Sequence, residues 1–144
     1  SMLAVADAAL VIGDAALFVD HRALEAEKID LGQVWTEMTG LPFVWAFWAG
    51  PASPAVSAVV GVLQTAAEQG MAHSDDVAVD YFQHDPAKVP VAQEYLRRNL
   101  AFHLTPSALL GLRTYYDEAA RLGLVARTGD ITFFAQGQPL LNNQ

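Results

Sequence analysis

Two short apolar runs constrain this chain more than any other feature. Ala8-Ala9-Leu10-Val11-Ile12 lies between Asp7 and the pair Gly13-Asp14, and Phe43-Val44-Trp45-Ala46-Phe47-Trp48 lies between Pro42 and Gly50-Pro51. The first is apolar at every position, the pattern of a parallel strand covered on both faces. The second is aromatic and β-branched, which suits a pleated surface packed on at least one side. Strand alternation puts Trp45 and Phe47 on one face of it and Trp48 on the other. Neither run approaches the ~20 apolar residues that a membrane-spanning helix needs. A third strand is expected at Ile131-Thr132-Phe133-Phe134, with a tail from Gly137 onward.

Elsewhere the period is helical. Ala15–Val19 begins a short helix, and His21–Lys28 is polar and solvated. Asp30 suits the N-cap of a helix over Leu31–Thr39, with Val34, Trp35 and Met38 at helical spacing and Gly40 just past its end. Ser53-Pro54 and Thr105-Pro106 each pair a capping hydroxyl with a first-turn proline. The first opens the stripe Val56, Val59, Val60, Leu63, Ala67, closed by Gly70; the second opens Leu109, Leu112, Tyr116, Ala119, closed by Gly123. Between them Ser74-Asp75-Asp76 cap a helix running to Phe82, Asp85-Pro86 breaks the chain, and Val91–Leu100 reads as a more polar helix. The layout is α/β, but two or three strands are few for so many helices. Either the helices wrap a small sheet, or polypeptide outside this sequence completes it.

Of the 144 residues, 53% are hydrophobic and 17% charged, which supports a core and argues against disorder. The net charge of −8, with no basic stretch longer than Arg97-Arg98, disfavours nucleic acid and anionic membranes as partners. A small anionic ligand stays open, because a few backbone N–H groups can bind one inside a negative protein. The absence of cysteine removes disulfides and thiolate chemistry. His21, His73, His84 and His103 are scattered without the paired spacing of a metal site, so no metal is expected. The opening residues Ser1–Asp7 carry no basic region of a secretion signal.

Three segments, in this order, carry a family resemblance. They are Asp7-Ala8-Ala9-Leu10-Val11-Ile12-Gly13-Asp14-Ala15-Ala16-Leu17; Asp30-Leu31-Gly32-Gln33-Val34-Trp35 running into Thr39-Gly40-Leu41-Pro42-Phe43-Val44-Trp45-Ala46-Phe47-Trp48; and, more loosely, Arg97-Arg98-Asn99-Leu100, the Tyr115-Tyr116 helix and Gly123-Leu124-Val125. Together they resemble the later part of the chorismate dehydratase family of the futalosine route to menaquinone. The resemblance implies a bilobed fold of the type II periplasmic-binding-protein kind, lacking its upstream part. In that fold residues 1–40 end the second lobe, and residues 41–144 supply the return crossing and the C-terminal helices of the first. It implies a cytoplasmic lyase that removes water from chorismate to give 3-[(1-carboxyvinyl)oxy]benzoate, with no cofactor. A sister lyase family of similar fold carries His-Glu where this chain has Gly13-Asp14, so the pair favours the dehydratase side. The family's early asparagine motif and serine-containing loop lie upstream of every matched segment, so no residue of this chain can be given those roles, and its catalytic residues are unknown.

Gly13 and Asp14 are the candidate substrate-binding residues. Ligands of open α/β folds sit beyond the carboxyl ends of strands, where Asp14 could accept a proton, orient a water or hold a loop. The plainer reading makes Asp14 a turn or cap residue and Gly13 the bearer of an unusual dihedral. For Trp35, Trp45, Phe47 and Trp48, core packing is expected ahead of ring stacking on a ligand. Arg97-Arg98 either pair with acids or meet a substrate carboxylate, and Asp75, Asp76 and Asp80 read as a solvated helix start. Two rivals to a dehydratase remain: a non-catalytic binding module on the same fold, and an inactive half. A homodimer formed by domain swapping would repair the sheet.

Overall fold

Capped helices, more than strands, frame this chain. Its computed structural model describes residues 5–51, 53–126, 129–135 and 138–140. The chain divides into two compact units, Ser1–Asp30 and Leu31–Gln144. The described part of the first unit holds one short helix, α1 (Asp14–Phe18). A turn follows in which the Asp20 carboxylate accepts from the N–H groups of Arg22 and Ala23, at 3.1 and 3.2 Å.

The second unit holds α2 (Leu31–Thr39), α3 (Pro54–Ala72), α4 (Ser74–Tyr81), α5 (Val89–Glu94) and α6 (Pro106–Arg121). Both cap-plus-proline signals work as expected: Ser53 Oγ accepts from the Val56 N–H at 3.3 Å, and Thr105 Oγ1 from the Ala108 N–H at 3.2 Å. Such caps satisfy amides that have no partner within the helix. Gly40 and Gly123 take left-handed φ values of 70° and 72° just beyond α2 and α6. At α4 the cap expectation is corrected. His73 stands at the N-cap position and makes no side-chain cap bond, while Ser74 already lies inside the helix. The helix expected over Val91–Leu100 is divided: a 3₁₀ turn at Pro86–Lys88 leads into α5, and Tyr95–Asn99 continues as a π-helical turn. An ion pair between Arg97 and Asp75 ties that turn to the start of α4.

The described strands are β1 (Phe133–Ala135) and β2 (Gln138–Leu140), antiparallel with Phe133 opposite Leu140. The strand expected at Ile131–Phe134 thus begins two residues later and ends one later, and β2 falls where a tail was expected. The two principal strand expectations are corrected: neither Ala8–Ile12 nor Phe43–Trp48 pairs as a strand with any described residue. Neither segment makes a backbone hydrogen bond to another described residue. The physical reason is that β propensity expresses a fit to neighbouring strands, and no neighbouring strand lies beside either segment among the described residues. The described residues are therefore mostly helical, with almost no strand, where an α/β sheet was expected.

The core is correspondingly thin. Among the described residues the buried apolar positions are Ala78, Ala92, Ala108, Leu112 and Ala119, four of them alanine. Two fall on the expected face of α6, Leu112 and Ala119. Gly111, next to Leu112, lets the chain at Leu41-Pro42 cross α6 closely. A Cβ at Gly111 would run into the Pro42 carbonyl oxygen and come within 3.6 Å of Leu41 Cβ. Just beyond the crossing, the Phe43 ring meets Trp35, Tyr115 and Trp45 edge-on, with centroids 5.6, 5.2 and 4.7 Å away. Trp35 packs as expected, although its Nε1 is buried with no hydrogen-bond partner. The core expectation for the later aromatics is corrected: Trp45, Phe47 and Trp48 are 67%, 49% and 83% exposed.

Candidate functional site

Gly13 and Asp14 sit at the start of α1, in the first unit. Gly13 has φ 64° and ψ −149°, a backbone region essentially closed to residues with a Cβ. Its carbonyl accepts from the Ala16 and Leu17 N–H groups at 2.9 and 3.1 Å, which closes the first turn of α1. Asp14 is the acidic residue of that turn and is exposed. A carboxylate there interacts favourably with the positive end of the helix. Both plain readings therefore hold at once: Gly13 supplies a dihedral that only glycine adopts, and Asp14 stands at a helix start. Neither precludes a ligand role. The Gly13 turn fixes the direction in which Asp14 leaves the backbone, and the exposed carboxylate is chemically able to accept a proton or a hydroxyl hydrogen bond.

The other candidates are engaged elsewhere. Arg97 pairs with Asp75, and Arg98 pairs with Glu94 at 2.9 Å. The hydrogen bond to Asp75 holds the Arg97 guanidinium pKa above its ordinary value. This places the arginine pair on the side of structural salt bridges. Asp76 lies 3.4 Å from His73 Nδ1 across one helical turn. Among the described residues, no group of three or more His, Asp or Glu side chains gathers to hold a metal. None of the described helices is long and apolar enough to cross a membrane. A shallow groove of about 340 Å³ runs along α3, lined by Gly61, Val62, Thr65, Ala66 and Gln69. It offers no charged group to an anion.

Sequence reasoning missed the crossing at Gly111 and the part played by Tyr115. An isolated glycine inside an apolar helical pattern was the available signal for the first. Tyr115, one turn beyond Gly111, meets the rings of Trp35 and Phe43, yet it lies off the stripe that periodicity picks out.

A family described as menaquinone biosynthesis matches residues 1–121 of this chain. The chorismate dehydratase of Thermus thermophilus is 30% identical to it over 139 residues, covering 85% of this chain and 50% of that protein. The chain thus spans about half the length of this curated relative. No solved structure matches it. With most of its length matched, the chain belongs to the menaquinone biosynthesis family.

Proposed function

We propose, from membership of the menaquinone biosynthesis family, that this chain forms part of a cytoplasmic chorismate dehydratase. The observation that carries this reading is the 30% identity to a chorismate dehydratase, inside a family match that extends over residues 1–121. In this reading the fold is bilobed, with residues 1–40 in the second lobe and 41–144 returning to the first. The reaction eliminates water from chorismate: a ring C–H and the neighbouring hydroxyl leave, and the ring becomes aromatic. Aromatisation supplies the driving force, so the protein's task is to hold a dianion, orient the proton that leaves and assist departure of the hydroxyl. The residues assigned to the substrate are Gly13 and Asp14. The Asp14 carboxylate cannot hold the substrate's own carboxylates, since like charges repel. It faces the ring hydrogen or the hydroxyl, as a proton or hydrogen-bond acceptor, while Gly13 lets the backbone approach the ring.

A second reading, an inactive half, is favoured by the thin core and the unpaired apolar segments. One experiment tests both, and product from the chain alone would remove the inactive-half reading. Chorismate is incubated with the chain alone, and with the chain joined to polypeptide that brings it to the length of its relative. Mass spectrometry then looks for a product lighter by one water. Product in the longer form alone supports a dehydratase of which this chain is an incomplete part; product with neither form removes the dehydratase reading.

A further inference from the structure

We draw no further inference here: the strongest candidate, the shallow groove along the exposed apolar face of α3 lined by Gly61, Val62, Thr65, Ala66 and Gln69, is an unpartnered helix face, and nothing in the structure shows what covers it.

Discussion

Gly111→Ala sets two opposing effects against each other at one atom. Inside a helix, alanine is favoured over glycine by about 0.5–1 kcal/mol. At this position the added methyl would run into the Pro42 carbonyl oxygen. Pro42 is not free to withdraw. On one side the Leu41 N–H donates to Thr39 Oγ1 at 3.1 Å, and on the other Phe43 is held by the rings of Trp35, Tyr115 and Trp45. Inserting a methylene-sized group into such a contact costs about 1–3 kcal/mol, so a net loss of about 1–2 kcal/mol is expected. Against a total stability of about 5–15 kcal/mol for an ordinary domain, that is a large fraction. Gly70→Ala is the control, because a Cβ there meets nothing within 4 Å in the same helical setting; it should gain about 0.5–1 kcal/mol. Urea unfolding followed by circular dichroism measures both, and thermal midpoints should move by roughly 3–5 °C per kcal/mol. If Gly111→Ala stabilised the chain as Gly70→Ala does, the close crossing of α6 by Leu41-Pro42 would be refuted.

Leu112 is 5% exposed and is the one large side chain among the buried described residues. Leu112→Ala should cost about 2–5 kcal/mol and broaden or abolish the cooperative unfolding transition. Ser53→Ala and Thr105→Ala should each cost about 1 kcal/mol, with additive effects in the double variant because the caps serve different helices; denaturant midpoints check this. Gly13→Ala forces a Cβ into a glycine-only conformation at a cost of about 1–3 kcal/mol, and should speed amide exchange at Ala16 and Leu17, whose N–H groups close that turn.

Local chemistry made the helices legible in the sequence. Ser53-Pro54, Thr105-Pro106, Gly40 and Gly123 each act through a single residue's hydrogen bond or dihedral, so the short-range pattern was enough to place α2, α3 and α6. The strands were not legible in the same way. Ala8–Ile12 and Phe43–Trp48 have the right composition, but a strand is a relation between two segments, and the second segment of each pair is not among the described residues. The expectation that Trp45, Phe47 and Trp48 form core failed for the same cause, since burial needs something on the other side. At the candidate site, the sequence marked Gly13 as needing an unusual dihedral, and φ 64° bears that out. Gly111 stood out only as a lone glycine inside a helical pattern, because its reason for being glycine lies nearly seventy residues away in the chain, at Pro42.

The most direct test concerns Asp14 in the chain joined to the polypeptide that brings it to its relative's length. The rate of aromatic product formation from chorismate is compared between this protein and its Asp14→Asn variant. With Asp14 accepting the proton that leaves, kcat should fall by ~10²–10⁴ while KM changes little, the size expected for loss of a general base. An Asn variant that turns chorismate over at the unsubstituted rate would contradict the role given to this turn.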